Sequence, residues 1–374
     1  MPLFDVYPLY DVEPTKARGV YVYDQKGTKY LDLYGGHAVI SIGHGHRTYK
    51  RMLRKQLHRI GFYSNAVQNP LQEKLSAEIN RQSGCNDYEL FMCSSGAEAN
   101  ENALKLASFH TGKSRVIAFD NAFHGRTSAA VAATDNKNIQ APLNNQQQVD
   151  FVPFNDADAL EKELTKGDVC AVIFEAIQGV GGLDEPSAAF VAQMETLCET
   201  HHTCLIADEV QSGFGRSGDF FAFQKYNINP HIISIAKGMG NGFPVGGILV
   251  NPVIKAKYGL LGTTFGGNHL ACSASLAVLQ VLEKEKLYDH AKAMGEYFVA
   301  KAKELPFVKT IKGRGLMLGL EFENEVGALR KELIFKHRIF TGGSSNKNLI
   351  RILPPLNVKQ KHLDQLFTAL NACH

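Results

Sequence analysis

The stretch IISIAKGMGNGFPVGG, Ile232–Gly247, decides how this chain is read. Its apolar β-type run ends at Ala236, a single lysine follows at Lys237, and Gly238, Gly240 and Gly242 let the backbone turn closely around whatever sits there. An amine is thereby set at the lip of a buried sheet. In an apolar setting the ammonium form loses solvation, the pKa falls, and a fraction becomes the free amine that can condense with an aldehyde. Taken alone, Lys237 reads first as a solvated surface lysine, one of 40 basic residues. Its partners elsewhere in the chain must change that reading.

Outward from this stretch, short β-type runs alternate with helical periodicity from residue 88 onward. Strands are expected near Glu89–Met92, Arg115–Phe119, Val149–Val152, Val169–Phe174, Cys204–Ala207, Ile232–Ile235 and Gly246–Val250. Helices fall near Ala97–Phe109, Ala157–Leu164 and Phe190–His201. The alternation predicts an α/β fold, a mainly parallel seven-stranded sheet with helices on both faces, with ligands at the carboxyl ends of the strands. Upstream, VYVYDQKGTKYLDL (Val20–Leu33) alternates as a hairpin around Asp24–Gly27, and helical patterns cover Tyr49–Ile60 and Leu71–Ser83. A long helix through Ala271–Glu285 and a final one over Gln360–Ala372 bracket an α+β segment. The expected division is a large domain over 45–270 and a smaller α+β domain built from an N-terminal arm, 1–44, with 271–374. The polar run Asp135–Gln148 reads as a surface excursion.

Composition narrows the function classes. With 374 residues and 44% hydrophobic content the chain can bury a substantial core. A net charge of +3 without runs of like charge argues against nucleic acid or an anionic membrane as partner. The most basic segment, KRMLRKQLHR (Lys50–Arg59), reads as the solvated face of an amphipathic helix. Seven scattered cysteines without a CxxC pair argue against a disulfide framework or a zinc site, and fit a reducing cytoplasm. No apolar run is long enough to span a bilayer, and the first residues do not read as a leader. His44 and His46 lie among glycines without a third ligand, so no metal is expected.

Three further stretches follow strands and carry chemistry. SSGAEANEN, Ser94–Asn102, sets a serine cap and free backbone N–H groups at a helix start, an anion site suited to phosphate at Ser95, Gly96 and Ala97. FDNAFHGRT, Phe119–Thr127, offers Phe123 as a flat face for a planar ligand and Arg126 as a fork for a carboxylate. In IADEVQSGFGRSG, Ile206–Gly218, Asp208 closes an apolar strand, and a buried carboxylate there needs a cation such as a protonated pyridine nitrogen. Gln211, one turn on, could reach an oxygen of the same ring. Two rival motifs are weak. TGKS, Thr111–Ser114, has Ala107 where a P-loop requires its first glycine, and Gly213, Gly215 and Gly218 spell GxGxxG without the following helix or ribose acid. A phosphate cradle, an aromatic face, an aspartate for a ring nitrogen and a Schiff-base lysine are the parts of a pyridoxal phosphate site.

These motifs, with TTFGGNHLAC (Thr263–Cys272) and LIRILPPL (Leu349–Leu356), stand in the same order in class III aminotransferases of fold type I. The chain resembles that family over nearly its whole length, and within it the acetylornithine and succinylornithine aminotransferases. The resemblance implies pyridoxal 5′-phosphate as cofactor, linked to Lys237, which then shuttles the proton between substrate and cofactor. It implies that Asp208 pairs with the ring nitrogen, Gln211 approaches the phenolic oxygen and Phe123 stacks on the ring. Ser95, Gly96 and Ala97 hold the phosphate, with Thr264 reaching in from the second subunit of a homodimer. Arg126 would hold the carboxylate far from the reacting amine, and Arg351 the near α-carboxylate of glutamate. Small-molecule substrates follow: an N-acylornithine, and glutamate or 2-oxoglutarate.

One departure bears on the substrate. Glu175–Gly182 reads EAIQGVGG where relatives usually carry EPIQGEGG, so Val180 stands at the position of a glutamate that covers the near arginine in ornithine-using relatives. Without that charge the field at Arg351 is less compensated, which disfavours free ornithine relative to an N-acylated one. Ornithine aminotransferase, 4-aminobutyrate aminotransferase, glutamate semialdehyde aminomutase and a non-catalytic binding protein remain the alternatives at this stage.

Overall fold

The computed structural model describes residues 3–374 and contains three sheets. Strands β1 (Pro14–Arg18), β2 (Tyr21–Asp24) and β3 (Lys29–Asp32) form the N-terminal meander. Strands β4 (Glu89–Cys93), β5 (Arg115–Phe119), β6 (Val149–Val152), β7 (Val169–Phe174), β8 (Cys204–Asp208), β9 (Ile232–Ile235) and β10 (Gly246–Val250) form a seven-stranded sheet in the order β4-β10-β9-β8-β7-β5-β6. The C-terminal strands are β11 (Thr310–Arg314), β12 (Met317–Glu321), β13 (Ile339–Phe340) and β14 (Leu349–Ile352). Of these, β11, β12 and β14 make an antiparallel sheet, and β13 pairs in parallel with β3, so the two ends of the chain share one sheet.

The seven expected strands are all present. Their sheet is parallel except at β10, which runs antiparallel to both β4 and β9. The exception follows from connection length. Residues 236–245 join β9 to β10 and are too few for the crossover of a dozen or more residues that a parallel return requires. Burial explains why these runs read as continuous apolar stretches: every residue of β5, β7, β8, β9 and β10 is buried, because both faces are covered. Successive residues serve opposite faces. Ile117, Phe119, Leu205 and Ala207 enter one hydrophobic cluster, whereas Val116, Ala118, Cys204 and Ile206 enter the other.

Capping fixes where the helices begin. The helix Gly96–Thr111 starts at Ser95, whose hydroxyl accepts from the Glu98 amide at 3.2 Å, and ends at Gly112 with φ +69°. Its inward face is largely alanine (Ala99, Ala103, Ala107), which lets the backbone approach the sheet. The helix Arg47–Leu57 starts two residues before the periodicity predicts, because the His46 side chain accepts from the Thr48 amide. None of its residues is buried, so its basic face is solvated as expected. Within the polar run 135–148, two short 3₁₀ turns form, and Asn144 is buried against the Ser128 hydroxyl.

One buried charge joins the large sheet to the C-terminal strands. Arg216 is 2% exposed and donates from Nη1 to the carbonyls of Leu316, at 3.1 Å, and Pro354. Burial pushes its pKa down to about 9. Among the described residues no helix is long and apolar enough to cross a membrane.

Close packing at the helix Leu287–Ala302 gives a testable contrast. A Cβ at Gly295 would lie 2.2 Å from the Gly315 carbonyl oxygen, whereas one at Gly327 meets no heavy atom within 4 Å. Gly295→Ala gains about 1 kcal/mol of helix propensity but forces a backbone shift costing roughly 1–3 kcal/mol, so it should lower the thermal midpoint. Gly327→Ala should leave stability unchanged or raise it by less than about 1 kcal/mol, so its midpoint should not fall. Equal midpoints for the two variants would refute the packing argument.

Candidate active site

At the carboxyl ends of β8 and β9 lies a cavity of about 220 Å³, lined by Gly96, Ala97, Asn100, Phe123, His124, Gly125, Arg126, Glu175, Val180, Asp208, Val210, Gln211 and Lys237. Lys237 stands one residue beyond the end of β9, after Ala236, with φ +47°, a region that costs a non-glycine residue energy and persists only where the surroundings enforce it. Those surroundings come from the N-terminal segment. Ser41 Oγ donates to the Gly238 carbonyl at 2.6 Å, and Tyr49 OH to the Gly240 carbonyl at 2.8 Å. Asn241 accepts from the Ile42 amide at 3.0 Å and donates to the Gly43 carbonyl at 3.2 Å. Burial lowers the Lys237 pKa, and the Arg351 charge adds to this, against the opposing pull of Asp208 and Glu175.

Asp208 is 4% exposed. Its Oδ2 accepts from Asn100 Nδ2 at 2.7 Å and pairs with His124 Nδ1 at 2.7 Å, while Oδ1 accepts from the Val210 amide at 3.0 Å. Asn100 also donates to the His124 carbonyl at 2.7 Å, which closes the network. Beside it, Glu175 accepts from the amides of Phe123, at 3.0 Å, and Gly179, at 2.8 Å. Burial raises the Glu175 pKa and the Asp208 charge adds to the rise, with His124 opposing. Asn100, His124 and Glu175 were not singled out in the sequence. The available signal was position: Asn100 lies four residues after Gly96 and so on the same helix face, and His124 sits between Phe123 and Arg126.

The helix start at Ser95–Ala97 borders the cavity through Gly96 and Ala97, whose first-turn amides have no partner within the helix. Gly96 is required there because a Cβ would lie 2.5 Å from Val210. Phe123 and Arg126 both line the cavity, and Arg126 is exposed. Gln211 lines it as well, but its Nε2 donates to the His37 carbonyl at 3.1 Å. Its Oε1 accepts from Arg351 Nη1 at 3.2 Å. Arg351, on β14, is 3% exposed and lies behind this wall, donating also to the carbonyls of Gly179 at 2.7 Å and Gly343 at 2.5 Å. Thr264 is exposed and does not line the cavity.

The two histidines of the glycine-rich loop point to separate carboxylates: His44 Nε2 lies 2.8 Å from Asp32, and His46 Nε2 lies 2.9 Å from Glu285. The TGKS run closes a helix where a P-loop would open one. The GxGxxG run Gly213–Gly218 is buried against an aromatic cluster of Phe214, Phe220, Phe221 and Tyr288, and only the short 3₁₀ helix Ala222–Tyr226 follows it.

The Aminotransferase class-III family profile matches residues 6–373. The chain is a class III aminotransferase. Its relatives include the acetylornithine aminotransferase of Bacillus subtilis (strain 168), 38% identical, covering 98% of this chain and 96% of the relative. Another is the acetylornithine aminotransferase of Aquifex aeolicus (strain VF5), 37% identical, covering 98% of each. Among solved structures, an ornithine aminotransferase from Toxoplasma gondii, described with partial occupancy of PLP at its active site, superposes with a TM-score of 0.89 at 27% identity, covering 97% of this chain and 90% of that one. As a class III aminotransferase, this protein uses pyridoxal 5′-phosphate. The residues present fit that group. The cavity joins an amine of lowered pKa, a buried carboxylate aimed by three hydrogen bonds and two unpartnered helix amides.

The lowered Lys237 pKa has a direct readout in the apoprotein. A group whose pKa lies below the ordinary 10.5 exposes free amine at lower pH, so competitive acylation followed by mass spectrometry should give Lys237 a midpoint below those of surface lysines. A midpoint at or above theirs would contradict the burial argument.

Proposed function

We propose that this class III aminotransferase moves the terminal amino group of an N-acylornithine, acetylated or succinylated, to 2-oxoglutarate, giving the N-acylglutamate semialdehyde and glutamate, as in arginine biosynthesis. The observation that carries this reading is the near full-length similarity to acetylornithine aminotransferases. Supporting it, the wall beside Arg351 is neutral: Val180 lines the cavity, and the hydrogen bonds of Arg351 run to two carbonyls and an amide oxygen. An acylated α-nitrogen cannot react wrongly and needs no carboxylate to shield that arginine. Free ornithine, the second reading, is supported only by structural similarity to ornithine aminotransferases.

When bound, the cofactor supplies an aldehyde to accept the amino group and a ring that draws off electrons. Lys237 Nζ would accept the proton released from the substrate carbon and hold it for return to the bound substrate–cofactor pair. Asp208 holds the ring nitrogen, its orientation fixed by Asn100, His124 and Val210. Phe123 would cover the ring, Gln211 would approach its phenolic oxygen, and Ser95, Gly96 and Ala97 would hold the phosphate at the helix start. Arg126 takes the far carboxylate and Arg351 the near one. Lys237→Ala should abolish turnover while the protein still folds.

The assembly is read as a homodimer that shares its active sites, with Thr264 of one copy completing the phosphate cradle of the other. Support comes from the exposure of Thr264 beside an open groove of about 740 Å³ lined in part by Asn65, Gln72, Met92, Thr263 and Gly266. Phe265, the residue after Thr264, is 62% exposed and its ring centroid lies 5.5 Å from that of Phe62, itself 44% exposed. We read the protein as cytoplasmic, which its seven free cysteines support.

The substrate reading is tested by the absorbance of the cofactor-loaded enzyme. N-acetylornithine or N-succinylornithine should bleach the visible band, 2-oxoglutarate should restore it, and steady-state kinetics should be ping-pong. A clear preference for free ornithine would overturn the assignment. The assembly has its own test: sedimentation should show a dimer, and Thr264→Ala should weaken cofactor binding about tenfold, the worth of one good hydrogen bond to a charged group. A monomer that binds the cofactor tightly would refute the shared site.

A further inference from the structure

Arg330 is a cation beside Arg351 to which the proposed function gives no task. It lies on the helix Gly327–Phe335 and donates from Nη2 to the Thr341 carbonyl at 3.1 Å. Its Nε is buried without an acceptor among the described residues. Arg351 donates to the Gly343 carbonyl, and a Cβ at Gly343 would lie 2.6 Å from Arg330 Nη1. The two guanidiniums therefore flank one glycine of the backbone.

The groups around this pair do not neutralise it. Among the described residues the hydrogen bonds of the two guanidiniums run to neutral oxygens: those of Thr341, Gly343, Gly179, the Gln211 amide and the Tyr34 hydroxyl. Tyr34 packs its ring 6.0 Å from the Arg351 guanidinium, and burial raises its phenol pKa, so it stays neutral. His37 is held neutral by burial and by the charges of Arg351 and Lys237. Glu175 acts on Arg351 from a distance, but its carboxylate is spent on two backbone amides and its pKa is raised by burial. Val180, on the cavity wall, brings no charge. Burial lowers the Arg351 pKa, Tyr34 and Glu175 oppose this in part, and the Arg330 charge adds a smaller lowering, which places the two cations within electrostatic reach.

We propose that Arg330 is a specificity-determining residue: with Arg351 it makes this end of the cavity a two-cation receptor for the near carboxylate of the dicarboxylate partner, glutamate or 2-oxoglutarate. This rests on the substrate reading above. An incoming carboxylate relieves the repulsion between the guanidiniums and gains attraction from both. The N-acylornithine half-reaction gains far less, because its carboxylate sits at Arg126.

The test uses the cofactor-loaded enzyme with Arg330→Met and Arg330→Lys. The first probe is glutarate, an unreactive dicarboxylate whose Kd is read by calorimetry, and the second compares the Michaelis constants for 2-oxoglutarate and N-acetylornithine. Arg330→Met should weaken glutarate binding and raise the Michaelis constant for 2-oxoglutarate by about three- to tenfold, as one partly screened charge allows, with a clearly smaller change for N-acetylornithine. Arg330→Lys keeps the charge and should retain most of the affinity. Unchanged glutarate binding in Arg330→Met, equal shifts for both substrates, or an Arg330→Lys enzyme as weak as the methionine variant would each overturn the proposal. If wild-type enzyme binds glutarate but ignores every N-acylornithine, the substrate reading falls and the glutarate arm still decides the role of Arg330.

Discussion

A carboxylate buried at the end of an apolar strand is the constraint on which this active site depends. Taking Asp208 out of water costs several kcal/mol unless hydrogen bonds and a cation repay it. Asn100, His124 and the Val210 amide supply the bonds and fix the direction of the carboxyl group. Helix Gly96–Thr111 must then lie close enough for Asn100 to reach β8, which its alanine face allows. The helix start at Gly96 and the carboxylate of Asp208 are thus placed by one helix-to-sheet contact, since Gly96 and Asn100 share that helix face.

The same sheet sets the electrostatics of Lys237. Apolar surroundings and Arg351 disfavour its charged form, while Asp208 and Glu175 favour it, and burial is the larger effect. The result is an amine that can act as nucleophile and as base. Its left-handed backbone is tolerated because Ser41, Tyr49 and Asn241 tie the turn that follows to the N-terminal segment. Local strain at a functional residue is here offset by contacts from nearly two hundred residues away.

Much of this was legible in the sequence because it depends on local pattern. Strands buried on both faces read as apolar runs bounded by turns, so the seven strands from Glu89 to Val250 were locatable. Capping residues such as Ser95 marked helix starts, and Lys237 and Asp208 stood out by lying at strand ends. The remainder depends on tertiary contact. His124 and Asn100 meet Asp208 from 84 and 108 residues away, and neither residue type announces that partner. Gln211 was assigned to the cofactor ring alone, yet it also bridges Arg351 and the His37 carbonyl. Arg330 looks like an ordinary helix-surface cation until β14 brings Arg351 beside Gly343. The antiparallel sense of β10 was readable in principle, from the brevity of the Lys237 turn.

Arg216 shows why such an active site tolerates a costly buried charge. An apolar side chain of similar volume would be cheaper to bury, but it could not donate to the carbonyls of Leu316 and Pro354. Those carbonyls lie just before β12 and just after β14, so one guanidinium holds both strands of the pair that carries Arg351. The Leu316 amide donates back to the Arg216 carbonyl at 2.9 Å, which makes the tie reciprocal. Arg216 itself belongs to the loop that follows Asp208. The distance between Asp208 and Arg351 is therefore set through a short, directional connection, where packing alone would leave the two sheets free to slide. A reaction that needs a substrate carboxylate and a substrate amine held at once has reason to retain that directionality at the expense of stability.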